Sequence, residues 1–146
     1  MGFGDVLANI VTTLKTDADL AAFCLSAFKK ALTVKLGYKE RHEIGLDELP
    51  IVRITYLKDS PDITSGNNIN MHTVRLYCGF NQDDCELAVT QSVTFAEMIR
   101  AALLKNRRRG GAAQTTIPGD AVNDAGSMHP SYFTVMDFQI ETRSAG

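Results

Sequence analysis

LPIVRITYL, residues 49–57, and MHTVRLYCGF, residues 71–80, are the two stretches that decide the fold of this chain. In each, apolar and polar residues alternate, which is the period of a half-buried strand. The segment between them, Asp59 to Asn70, is dense in turn-forming residues. The two stretches therefore predict an antiparallel hairpin with a long loop. The first strand is expected to place Val52, Ile54 and Tyr56 on one face, and the second to point Val74, Leu76, Cys78 and Phe80 inward.

On the N-terminal side of the hairpin, the apolar residues recur at helical spacing. This spacing predicts one helix over Asp5 to Lys15 and a second over about Ala18 to Lys30, which Asp17 caps. A short alternating run, Leu32 to Leu36, then predicts a strand, and Lys39 to Leu49 is polar and predicts a loop.

On the C-terminal side, Asp83 or Asp84 is expected to cap a long helix that runs to about Asn106. Its predicted buried stripe is Ala88, Ser92, Phe95, Ala96, Ile99 and Leu103, widened by Val89 and Val93. No period persists from Gly110 to Pro130, which predicts a second long loop; loops of this length usually carry function or are mobile. Tyr132 to Thr142 alternates again and predicts the last strand.

The order of these elements predicts an α+β fold of one domain, residues 1–146, because the strands cluster instead of alternating with helices. We expect a mostly antiparallel four-stranded sheet with helices packed on one face. The opposite face is expected to be polar and either solvated or in contact with a partner. Its residues are Arg53, Thr55, Arg75, Tyr77, Asp137, Gln139 and Glu141.

Composition excludes several classes of protein. The 146 residues are 45% hydrophobic, enough for a real core, and the net charge of -2 gives no field that would attract polyanions. No apolar run approaches the roughly 18 residues of a membrane span, and the N-terminus lacks a secretory signal. Three cysteines without a CxxC pair predict neither a disulfide scaffold nor a zinc module, and favour a reducing compartment.

Residues that could carry catalysis form no recognisable motif. His42, His72 and His129 are scattered without metal-ligand spacing, and each is expected to be exposed. Cys85 begins the long helix, where a thiol pKa can fall, but acidic neighbours oppose that effect. Gly110-Gly111 lies in no phosphate-binding motif. We therefore expect no metal, no cofactor and no enzymatic activity.

The most conspicuous cluster of like charges is the run Arg107, Arg108 and Arg109 at the end of the long helix. It is open to two interpretations: a solvated helix end that complements the helix dipole, or a contact with an acidic protein surface or a phosphate backbone. A protein contact is preferred, because no aromatic residues are interleaved with the arginines. Candidate contacts in the two predicted loops are Asp59, Asp62, Asn67, Asn68, Asp120 and Asp124.

The run LTVKLGYKERHEIGLDELPIVRITY, residues 32–56, follows two short helices and precedes MHTVRLYCGF, a long helix and a closing strand. This order resembles the tail terminator, or tail completion, proteins of long-tailed bacteriophages. The resemblance covers most of the chain. It lies in the order of the elements and in the general character of the sequence, since the family has no catalytic signature.

The resemblance implies a hexameric ring at the head-proximal end of the tail, within the virion and assembled in the host cytoplasm. Such a ring stops polymerisation of the tail tube, and of a sheath where one exists, and presents a surface to neck proteins. It implies neither membrane binding nor sequence-specific binding of nucleic acid, although DNA passes through such a ring. Two alternatives stay open: another small neck, connector or tube component of a phage or contractile machine, or a small ligand-binding α+β domain.

Overall fold

The fold is described from a computed structural model, which describes residues 3–62, 69–113 and 115–143. Helices and strands follow one another as α1 (Phe3–Thr16), α2 (Ala18–Phe28), β1 (Thr33–Leu36), β2 (Ile51–Asp62), β3 (Ile69–Asn81), α3 (Cys85–Leu104), β4 (Thr115–Asn123) and β5 (Ser131–Arg143). The fold is α+β, as predicted. The described strands form one mixed sheet in the order β1-β2-β3-β5-β4.

Two features of this sheet differ from the prediction of four mostly antiparallel strands. Strand β1 pairs with β2 in parallel, and only over Thr33–Leu36, so that β2 is open along that side from Thr55 onwards. The fifth strand, β4, lies inside the stretch predicted as a loop from Gly110 to Pro130. The pairing register of β4 with β5 shifts between Pro118 and Ala121. This shift interrupts the alternation of apolar and polar residues by which a strand is predicted from sequence. Proline is tolerated because β4 is an edge strand.

The predicted hairpin between β2 and β3 is present, but its loop is shorter than expected. Pairing runs on to Asp62 and Ile69, so half of the segment predicted as loop, Asp59 to Asn70, is strand. The polar and turn-forming residues of this segment still form strand, because β5 pairs with the other side of β3 as far as the pair Ile69–Arg143. Residues 63–68, between the two strands, lie outside the described part of the chain.

The core lies between the three helices and the inner face of the sheet. Val6, Ile10 and Leu14 of α1 and Leu20 and Cys24 of α2 are buried there. The sheet contributes the predicted inward residues of β3 and, from β5, Met136, Phe138 and Ile140. On α3, Phe95 and Ile99 are buried as predicted. Val89 and Val93, expected to widen that stripe, are instead 65% and 54% exposed, because they lie beside the buried stripe of α3, at its margin near β4.

The outer face of the sheet is not wholly polar. Leu49, Ile51 and Phe133 form a small second cluster there. It lies over Gly79, where a Cβ atom would approach the Phe133 ring to 2.5 Å, so the ring needs glycine beneath it. Farther along this face, Arg75 and Asp137 form a bidentate ion pair with distances of 2.7 and 3.0 Å.

The second and third helices each end a little earlier in the chain than predicted. Helix α2 stops at Phe28 because Lys29 adopts a left-handed conformation (φ 59°), and α3 stops at Leu104. By length and mean hydropathy (1.2), the 20-residue α3 does qualify as a possible membrane span, contrary to the sequence expectation. Core helices of soluble proteins pass the same test, and the Phe95 and Ile99 side chains of α3 pack on the sheet.

Candidate assembly surfaces

The three arginines after α3 do not share one environment. Arg107 and Arg108 are exposed, as expected, whereas Arg109 is only 1% exposed, so its expected place at the surface is wrong. The backbone turns back at Arg109 (φ 51°) and Gly110 (φ 68°), which directs the Arg109 side chain under the end of the helix.

The Arg109 guanidinium caps the C-terminus of α3. Its Nη2 donates to the carbonyl oxygen of Leu103, which a helix C-terminus otherwise leaves unpaired, and to that of Asn106, which also accepts from the Arg109 amide at 3.2 Å. Burial lowers the pKa of Arg109 to about 10, so the group stays charged at neutral pH and complements the negative end of the helix dipole. Nearby, the Arg107 carbonyl accepts from Thr116 Oγ1 at 2.7 Å, which joins this turn to β4.

The candidate contact residues of the first predicted loop are dispersed. Asp59 lies on β2, half exposed, with its carboxylate 3.8 Å from the imidazole of His72. Asp62 ends β2, and its side chain lies outside the described part of the structure. Asn67 and Asn68 fall within residues 63–68 and are likewise outside it.

His72 is buried, contrary to the expectation that the histidines are exposed. The ring of Phe3 stacks on it with centroids 4.0 Å apart, Tyr56 Oη lies 3.4 Å from Nδ1, and Thr142 Oγ1 lies 2.8 Å from Nε2. Burial lowers the pKa of His72, and the nearby Asp59 carboxylate only partly opposes that effect. This cluster joins the start of α1 to strands β2, β3 and β5.

The candidate residues of the second predicted loop also differ. Asp120 is exposed at the irregularity of β4. Asp124 follows β4, and its carboxylate is largely buried: it accepts from Arg41 at 3.1 Å and from the Gly126 amide at 3.0 Å. Asp124 therefore anchors the segment after β1 onto the far side of the sheet.

That segment, residues 37–49, crosses the outer face. Glu48 holds it in place by accepting from the Gly45 amide at 2.9 Å, from Lys39 at 3.0 Å and from Arg53 at 3.4 Å. The Gly45 hydrogen bond, followed by Lys39, lowers the pKa of Glu48 to about 2. Beneath the segment lies a cavity of ≈ 320 Å³ whose lining includes Tyr38, Ile44, Tyr77, Phe133 and Val135.

A groove runs between α3 and the edge strand β4. Two adjoining depressions of ≈ 400 and ≈ 240 Å³ share Ser92, Val93 and Asn123, and together extend from Cys85 to Arg100. We call this the α3–β4 groove. Val89 and Val93 form its exposed apolar rim.

The opposite side of the sheet is also apolar at its margin. Leu36 on β1 is 53% exposed, and Lys35 next to it and Lys30 before the strand are exposed as well. We call these three residues the β1 edge. Lys30 donates to the backbone carbonyl of Asp47, a contact that does not neutralise its charge.

The remaining candidates for chemistry form no catalytic arrangement among the described residues. Cys24 and Cys78 are buried, and burial raises both thiol pKa values, that of Cys24 to about 12. Exposed Cys85 has its Sγ 3.8 Å from His129 Nδ1, but Tyr132 Oη lies 2.6 Å from that same nitrogen. One ring nitrogen cannot accept from both groups, so the nearer tyrosine leaves His129 poorly placed as a base for the thiol.

His42 is exposed, as expected. Across residues 3–62, 69–113 and 115–143, no three His, Cys, Asp or Glu side chains lie together so that they could hold a metal ion.

Comparison with known proteins identifies a fold and no sequence family. No family model matches the chain, and no curated protein matches it. Among solved structures, the chain is similar to one from the "Virion of native gene transfer agent (GTA) particle", with a TM-score of 0.54 and 13% sequence identity. The similarity covers 94% of this chain and 93% of that chain. At this identity the likeness establishes that the two chains share an α+β fold.

Proposed function

We propose that this chain, as a single domain over residues 1–146, is a structural component of a phage-like virion, and specifically a tail terminator. In this proposal its copies form a ring, a hexamer by the family resemblance, at the junction of tail and neck. The ring ends polymerisation of the tail tube, and of any sheath, and offers a surface to the neck proteins. The role is structural and non-catalytic, and assembly takes place in the host cytoplasm.

The observation that carries the proposal is the end-to-end likeness to a chain of a GTA virion. Because the alignment covers nearly all of both chains, the shared part is the complete fold of each and not a small common motif. The order of elements in the sequence supports the narrower assignment, since it resembles that of tail terminators.

The surface also supports a role in assembly. Subunits of a ring touch through two different patches, one on each side. The described part of this chain carries exposed apolar residues at both margins of its sheet, Leu36 on one and Val89, Val93 and Val122 on the other. The same features would suit a neck, connector or tube protein, so the experiment has to separate these roles.

Tail length decides between them. Removing this chain from the phage that encodes it should give overgrown tails that fail to join heads, and supplying it from a plasmid should restore tails of normal length. Electron micrographs of the particles provide the measurement. Tails of normal length that lack only the head joint would indicate a connector, an absence of tails would indicate a tube component, and normal infectious particles would refute a virion role.

A further inference from the structure

The two margins of the sheet are chemically different from each other. Around the α3–β4 groove, the apolar rim of Val89 and Val93 is flanked along α3 by Glu86 and Glu97, which are exposed. Arg100 also lines the groove, and its Nη2 lies 3.5 Å from the Gly119 carbonyl. The groove is therefore apolar at its centre and mainly acidic at its margin.

The β1 edge has the complementary character. Leu36 supplies exposed apolar surface, and Lys30 and Lys35 supply positive charge. The amides of Thr33 and Gly37 donate to β2, so those of Val34 and Leu36 point away from the sheet, as at any strand edge. Apolar surface with a basic margin matches apolar surface with an acidic margin.

The positions of the two surfaces favour contact between separate copies. The β1 and β4 strands occupy opposite ends of the five-stranded order, about 19 Å apart at the usual spacing between strands. A rigid sheet cannot bring its own ends together. When one copy places its β1 edge on the groove of the next, each copy keeps a free patch of the other kind. Contacts of this type build rings or filaments.

We propose that the occupant of the α3–β4 groove is the β1 edge of a second copy of this chain. Leu36 packs against Val89 and Val93, and the lysines of the β1 edge face the acidic margin of the groove. The inference rests on the proposed ring, which it deepens by naming the two surfaces that form the subunit contact.

Two single variants test the two surfaces separately. Val93→Asp damages the groove and leaves the β1 edge intact, whereas Lys35→Glu damages the β1 edge and leaves the groove intact. Both side chains are exposed, so both variants should fold, which circular dichroism and thermal unfolding check. Leu46→Asp and Lys15→Glu, exposed and outside both surfaces, are the matched controls.

Sedimentation over a range of concentrations should show large assemblies for the wild-type chain and for both controls. Each of the two test variants alone should sediment as a monomer. An equal mixture of them should form a species of two chains, twice the 16.0 kDa of one chain, and nothing larger. The reason is that only one intact contact is possible in the mixture: the undamaged groove of the Lys35→Glu copy binds the undamaged β1 edge of the Val93→Asp copy.

Other outcomes overturn the inference in distinguishable ways. If both test variants assemble like the wild type, these two surfaces do not form the subunit contact. The tail-length experiment could then still support a terminator. Loss of binding to purified tail tubes by Val93→Asp, with self-association intact, would make a tail protein the occupant of the groove. A wild-type chain that stays monomeric at every concentration would reject the contact itself, and normal tails in its absence would reject the proposed function.

Discussion

At the scale of single residues, side chains of the same type have opposite surroundings. Arg108 is exposed and Arg109 beside it is buried against the last carbonyls of α3. His42 is exposed while His72 is enclosed by Phe3, Tyr56 and Thr142. In each case the backbone decides which side chain points inwards, and the residue type alone does not.

Replacing Arg109 with alanine should destabilise the chain. The change leaves the Leu103 carbonyl without its side-chain donor, removes one of the two donors to the Asn106 carbonyl, and opens a gap under the helix end. Loss of hydrogen bonds from a charged group costs about 1.5–3 kcal/mol. Urea unfolding measures the effect, with Arg108→Ala as the matched control; equal stabilities for the two variants would contradict a capping role for Arg109.

The stability of the chain should fall as the pH drops below about 6.5 because of His72. Its pKa in the folded chain lies below the ordinary value of 6.5, so the unfolded chain binds a proton first as the pH falls. The contribution of neutral His72 is thus complete above pH 6.5 and is lost as the pH falls towards the folded pKa. Urea unfolding at pH 7.5 and 5.5 should show a smaller change for His72→Gln than for the wild type.

The control for this measurement is His42→Gln, whose exposed side chain should leave the pH dependence as it is in the wild type. A pH dependence that is identical in all three proteins would show that His72 does not couple folding to protonation.

At the scale of elements, the helices are held to the sheet by a cluster of aromatic rings. Phe95 of α3 lies 6.2 Å from Phe23, 5.6 Å from Phe28 and 6.0 Å from Phe80 between ring centroids. It therefore joins α2, α3 and β3. Lys105, just after α3, adds a polar link of 2.7 Å to the carboxylate of Asp17, the residue that caps α2.

Phe95→Ala should cost about 3–5 kcal/mol of folding free energy, because the buried ring leaves a cavity between three elements. Val89→Ala on the same helix, 65% exposed, should change stability by about 0.5 kcal/mol or less. Thermal and urea unfolding compare the two variants. Similar losses would mean that the buried side of α3 has been assigned incorrectly.

At the scale of the whole molecule, the cationic end of α3 is a candidate contact with another virion protein. Arg107 and Arg108 are the exposed pair, so Arg107→Ser with Arg108→Ser should leave the folded chain intact. If the pair contacts an acidic partner, head joining should fall, and it should fall further at high salt. The reason is that the screening length shrinks from about 10 Å at 0.1 M to about 3 Å at 1 M.

Tail length and the fraction of joined heads, counted in micrographs, provide the readout for this pair. The control is Lys15→Ser with Lys58→Ser, which removes the same charge from exposed positions elsewhere. Normal particles from the arginine variant would leave Arg107 and Arg108 as a solvated helix end.

The sequence by itself determined the three helices, the strands β2, β3 and β5, and the α+β class. Their apolar periods are local, and the buried faces of α3 and β5 follow from the spacing of residues such as Phe95 and Phe138. Asp17 and Asp84 mark helix starts for the same local reason, since a side-chain oxygen accepts from an amide two or three residues onward.

Only the tertiary structure decided the rest. Strand β4 forms because it pairs with the edge of β5, although Pro118 and a register shift interrupt the alternation of apolar and polar residues in its sequence. The parallel pairing of β1 and the burial of Arg109 and His72 likewise depend on residues distant in the chain or on the direction of the backbone. The α3–β4 groove and the β1 edge belong to this group, because a surface between two elements has no counterpart in the sequence of either one.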